Sequence, residues 1–172
     1  WDNHVHFRGG EQLADQNKAM LPLFLTHGVT TVRDGGGDIT PHVQAWNTEI
    51  KNGSLHGPTI FTPGPKLDGS NPAWDGSIKV IERKDVIEAL DSLDRINADF
   101  VKIYDGNLSA DMYYAIITEA EKRGLMVTGH MPLDADLMRA VSLGLDGTEH
   151  LYYALTVASP LGDSLREAAA GY

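Results

Sequence analysis

Apolar residues along the chain switch between a period of two and a period of three to four, and each switch marks an element. The opening run Asp2-Asn3-His4-Val5-His6-Phe7 alternates, so it reads as a strand with His4 and His6 on one face and Val5 on the other. Residues 8–10 make a loop. Glu11 to Thr26 then reads as a helix with Leu13, Met20, Leu21, Phe24 and Leu25 roughly on one side, with Pro22 expected to kink it or to mark a second short segment and a C-terminal cap at Gly28. Val29 to Asp34 is a β-branched strand followed by three glycines, Gly35 to Gly37. Thr40 and Pro41 open a helix running to about Lys51. Thr59 to Thr62 is a third strand, and residues 63–77 form a polar loop rich in Gly and Pro, of a length more often functional than idle. Lys84 to Asn97 is an amphipathic helix carrying Val86, Ile87, Leu90, Leu93 and Ile96. Phe100 to Tyr104 is a strand, and Ser109 caps a helix to Arg123, which Gly124 ends. Leu125 to Gly129 is a strand ending at His130, Asp134 to Leu143 a short helix, and Gly147 to Glu149 a strand ending at His150. A last helix is expected from Asp163 to Ala170.

Six strands alternating with helices mean repeated βα units, an α/β chain and a parallel sheet. An open doubly wound sheet and a barrel both fit that order. Polar residues near the strand ends separate them: His4 and His6, Lys102, His130 and His150 sit at or near the ends of four different strands, and only a barrel gathers those ends around one axis. The expectation is a (β/α)8 TIM-like barrel, present here as a fragment covering about strands 1–6. A full barrel takes eight strands and typically about 250 residues, so residues 1–172 are expected to be a single partial domain, truncated at both ends.

Composition narrows the functions. The net charge of −10 and the lack of a Lys/Arg cluster argue against a nucleic-acid partner. The absence of cysteine excludes disulfides, thiolate metal sites and thiol nucleophiles. No apolar run approaches the roughly 18 residues of a membrane span, and the start does not resemble a signal peptide. The compartment stays open between cytoplasmic and exported, as does a homo-oligomer.

Two imidazoles on one strand face make a bidentate pair for a transition metal, although a lone His-x-His is as often chance. A strand-end lysine is, taken singly, more often half of a salt bridge. Taken together, Asp-Asn-His-Val-His-Phe from Asp2, Gly-Val-Thr-Thr-Val-Arg-Asp from Gly28, Val-Lys-Ile-Tyr from Val101, Val-Thr-Gly-His from Val127 and Thr-Glu-His from Thr148 resemble the amidohydrolase superfamily, nearest its imidazolonepropionase-like and Xaa-Pro-dipeptidase-like members. The resemblance implies two divalent metal ions, zinc by preference, at the C-terminal mouth of a distorted barrel. His4 and His6 would hold the more buried ion, and His130 and His150 the other. Lys102 would bridge both as a carboxylated amine, a role that burial favours by lowering the lysine pKa.

By the same resemblance, a metal-bound hydroxide attacks the amide carbonyl of a small-molecule or dipeptide substrate, or of a cyclic amide. The eighth-strand aspartate that moves the proton lies outside these residues, so the chain alone is expected to be inactive. Related hydrolysis of phosphate or lactone esters, or a non-catalytic metal-binding scaffold, are the alternatives. Arg33 is a candidate for a substrate carboxylate, or else pairs with Asp34 or another acid. Tyr104 shares the face of Lys102 and is a candidate pocket residue, whereas Tyr152 and Tyr153 read equally as pocket or packing residues. Asp34, Asp105 and Asp134 receive no role, and His27, His42 and His56 read as structural or exposed. Gly35 to Gly37 lack the pattern of a phosphate loop.

Overall fold

The third strand is broken in two, and the break ties the sheet together. The computed structural model describes residues 1–169. β1 (Asp2–Val5), β2 (Thr31–Asp34) and β3 (Thr59–Phe61) pair in parallel in that order. β4 (Leu67–Asp68), β5 (Ile78–Lys79), β6 (Val101–Ile103), β7 (Val127–Gly129) and β8 (Gly147–Thr148) form a second parallel sheet, in the order β5-β4-β6-β7-β8. The two sheets join where Asp99 N donates to Thr62 O at 2.9 Å and Thr62 N donates to Asp99 Oδ2 at 2.8 Å.

β3 and β4 therefore act as one bent barrel strand, interrupted at Pro63-Gly64-Pro65 because a proline has no N–H for the ladder. This corrects the expectation of an unbroken loop over residues 63–77. A two-residue strand is too short to show a period, and its place comes from β6, where Tyr104 N donates to Leu67 O at 2.8 Å. Gly37 (φ 74°) and Gly64 (φ 72°) meet backbone to backbone here, and a Cβ on Gly37 would overlap Gly64 O.

α1 (Ala14–Thr26), α2 (Thr40–Lys51), α3 (Arg83–Arg95), α4 (Ala110–Lys122), α5 (Leu137–Ser142), α6 (Tyr152–Ala158) and α7 (Gly162–Ala169) alternate with the strands. α3 and α4 cover β4, β6 and β7 through Leu90, Leu93, Ile116 and Ile117. Leu21, Val43 and Trp46 of α1 and α2 cover Val32 and Ile60. Ser109 accepts from Met112 N to cap α4, and Glu82 with Asp85 makes a capping box on α3.

α1 departs from its expected form. It runs unbroken through Pro22, and Leu13, Met20 and Leu25 stay exposed while Ala14 and Leu21 are buried. The reason is that α1 meets the sheet along a single line, centred on Leu21. α6 is an element the periodicity did not show, and residue 170 of the expected last helix lies outside the described residues. The fold is α/β with every strand pair parallel, as a (β/α) barrel requires. No helix among the described residues is long and apolar enough to cross a membrane.

Candidate metal centre

β1 ends beside His4 and His6, β6 carries Lys102, β7 ends at His130, and β8 runs into Glu149 and His150. The four histidines and Lys102 line one cavity of about 310 Å³, with Lys66, Trp74 and Tyr104 among its walls. His6 Nε2 and His4 Nε2 lie 2.9 Å apart. Ring centroids step from His6 to His4 (4.8 Å), His4 to His150 (5.2 Å) and His150 to His130 (5.1 Å). The structure thus brings together all five residues that the sequence nominated as ligands.

Lys102 is 1% exposed. Its Nζ lies 3.3 Å from Glu149 Oε1, an ion-pair distance, but without the alignment of a hydrogen bond, so its N–H groups find no partner among the described residues. Burial lowers its pKa to about 8, against the opposing pull of Glu149.

Glu149 is the residue that sequence reasoning missed. It is buried and joins four partners: His4 Nδ1 at 2.7 Å, Arg33 Nη2 at 2.9 and 3.0 Å, Thr128 Oγ1 at 3.1 Å, and the Lys102 ammonium. Burial pushes its carboxyl up, but Lys102, the His4 hydrogen bond and Arg33 outweigh burial and hold it below the usual range. A charged residue that directly follows a short strand and turns into the protein must be paired, and that was the available signal. Strand alternation would turn Glu149 and His150 to opposite sides. His150 adopts φ 72°, left-handed backbone, and its ring comes back to the cavity beside His4 and His130.

Arg33 is placed behind the cavity, with its guanidinium on Glu149 and its Nε donating to Asn3 O at 2.9 Å. Tyr104 lines the cavity, its ring 4.2 Å from that of His130. Tyr153 is buried in the core, and the side chain of Tyr152 lies outside the described residues. Asp34 is buried, accepting from Gly36 N at 2.9 Å and Gly37 N at 3.1 Å, and burial raises its pKa. Asp105 Oδ1 lies 3.5 Å from His130 Nδ1, and Asp134 is exposed. His27 bonds Leu23 O, His42 pairs with Glu11 at 2.6 Å, and His56 is exposed.

Burial, reinforced by neighbouring positive charge, lowers His6 and His130 to about 4. Both rings are neutral at physiological pH, the form that ligates metal. The unfolded chain takes up protons at these positions from about 6.5, and the folded chain only near 4. Between those values the unfolded state binds more protons, so stability should fall as pH falls from about 6.5 to 4. Thermal unfolding in chelator across that window tests this. A flat profile, or an unchanged slope in His130→Gln, contradicts it.

Among the described residues, no three His, Asp or Glu side chains already converge as closely as bound ligands do. The donor set nevertheless suits a cation. Four imidazoles face one cavity, those of His6 and His130 neutral, His4 receives an acidic partner on Nδ1, and a buried amine has no hydrogen-bond partner.

The Amidohydrolase family model matches residues 1–169. Among solved structures, a Xaa-Pro dipeptidase with methionine bound in its active site is similar at TM-score 0.68 and 20% identity, over 98% of this chain and 50% of that one. An A. niger ochratoxinase matches at TM-score 0.68 and 18% identity, over 99% and 50% of the two chains. A prolidase complexed with N-methylphosphonate-L-proline matches at TM-score 0.66 and 22% identity, over 87% and 46%. The chain spans about half the length of these structures, and at such identities the likeness is one of fold. No curated protein matches the sequence.

Proposed function

The chain belongs to the amidohydrolase family, and on that premise we propose that it forms the metal-binding part of a hydrolase cleaving the C–N bond of a dipeptide or cyclic amide. The observation that carries the reading is Lys102, a buried amine without a hydrogen-bond partner among four strand-end imidazoles. His4 and His6 would hold one divalent ion and His130 and His150 a second, with Lys102 between them. Zinc suits imidazole and oxygen donors, and such ions supply Lewis acidity toward a carbonyl and lower the pKa of water at the site.

Lys102 joins that donor set by adding carbon dioxide. The ammonium first gives up one proton; the neutral nitrogen then forms an N–C bond to the carbon of carbon dioxide and loses a second proton, so that a cationic side chain becomes an anionic oxygen donor. Glu149 fixes the His4 ring through Nδ1 and so leaves Nε2 toward the cavity, while Arg33 holds Glu149 in turn. Asp105 stands on the same side of the His130 ring, at 3.5 Å from Nδ1 and without a hydrogen bond. Tyr104 lies on the cavity wall, where a substrate contacts it. Residues 1–172 are read as one domain, part of the barrel.

Three measurements test this on the full-length protein purified without chelators. Metal analysis should find about two divalent ions per chain, a dipeptide panel should be hydrolysed, and carbon-13 NMR in labelled bicarbonate should show a carbamate that Lys102→Ala lacks. Protein that neither contains nor takes up metal overturns the reading.

A further inference from the structure

Lys66 is the second buried lysine of the cavity, 5% exposed, and the function proposed above leaves it unused. It stands between Pro65 and β4, where the bend of the third barrel strand turns it inward. Its Nζ donates to Gly36 O at 2.8 Å and pairs with Asp38. An ammonium has three N–H groups, and the structure provides acceptors for two.

The face of Trp74 is the remaining neighbour, 5.7 Å from Nζ, and Arg8 lies over the same ring at 4.8 Å. Trp74 meets Tyr104 edge-on at 6.4 Å, so an aromatic wall runs from the two cations toward the histidines. Arg8 and Lys66 face one carboxylate, Asp38, at this end of the cavity, in a chain whose net charge is −10. An anion is drawn to such a place. Holding Gly36 O alone would not require a charge, which is costly to bury unless paired.

We propose that Lys66 anchors the anionic end of the substrate. The inference rests on the hydrolase reading and narrows it to amides that carry a free carboxylate, such as dipeptides or N-acyl amino acids, over neutral cyclic amides and lactones.

The test compares two probes on the metal-loaded full-length protein by calorimetry: N-methylphosphonate-L-proline and its carboxamide. A hydrogen-bonded charge pair of this kind should favour the acid by about 10- to 100-fold. Lys66→Met should bring that ratio close to one with little change in carboxamide affinity, and Lys66→Arg should keep part of it. Asp38→Asn frees the ammonium from its counter-ion and should raise the ratio, which decides the matter even if Lys66→Met fails to fold. A ratio retained in Lys66→Met, a ratio unchanged or lowered in Asp38→Asn, or a wild type that binds neither probe or both equally overturns the anchor. Turnover of dipeptides is scored separately. Acid preference without any amide hydrolysis removes the hydrolase reading and leaves the anchor, and hydrolysis without acid preference does the reverse.

Discussion

Replacing Lys102 by Met should abolish turnover and yet leave a more stable protein. In the proposed role Lys102 bridges metal ions that supply several kcal/mol of charge stabilisation in the transition state, so on that reading its removal should cost at least about 10³-fold in kcat/KM. Stability moves the other way. The folded chain lowers Lys102 to about 8 from the ordinary 10.5, so at neutral pH it carries a proton that its surroundings disfavour by about 3 kcal/mol. Met fills a similar volume with no charge and no unpaired N–H, and should stabilise the metal-free protein by about 1–3 kcal/mol. Between pH 8 and 10.5 the unfolded wild type binds the extra proton, so its stability rises with pH across that window, and the variant should lose this rise. Urea unfolding at pH 7 and 10 with chelator, beside turnover with added zinc, measures both parts. A destabilised Lys102→Met or an active one defeats the prediction.

Glu149→Ala should be the most destabilising single substitution at the site, at about 3–5 kcal/mol. Its carboxylate is the shared counter-charge of Arg33 and Lys102, and truncation leaves both facing a cavity. Against a typical total of about 5–15 kcal/mol, that loss lowers the folded population visibly. Metal affinity should fall by about 10- to 100-fold as well, because His4 loses the group that fixes its ring. The two sites share partners, so the costs do not add. In a Lys102→Met background, Glu149→Ala should cost clearly less, since one stranded charge is gone. Equal costs in both backgrounds would mean that Lys102 and Glu149 do not interact.

The five candidate ligands could be picked out before the fold because their spacing is local and their chemistry is unusual. His4 and His6 announce themselves by a period of two, His130 and His150 by falling where apolar strands stop, and Lys102 by being the one charge between Val101 and Ile103 of an apolar strand. The α4 boundary was likewise legible, with a serine at its start and a glycine past its end. Glu149 was not, since its partners lie up to 145 positions away and its neighbour His150 accounts for the motif without it. Lys66 was hidden by the Gly- and Pro-rich run around it, which shows no period because β4 is two residues long. The face of α1 was misjudged because apolar spacing records which residues could be buried together, while the single line of contact through Leu21 decides which are.

The backbone at His150 places two independent filters on one position. The residue there must tolerate a left-handed conformation, which leaves His, Asn, Asp and Gly as the well-suited choices and shuts out β-branched replacements. Of those four, only His and Asp offer a strong donor atom to a cation. Drift at this position therefore has few routes. It can exchange imidazole for carboxylate and keep a donor atom at the cavity, or move to Asn or Gly and surrender that donor with the turn intact. A relative that has lost the chemistry here can still keep the whole architecture, so shape alone is a poor witness to activity in chains built this way.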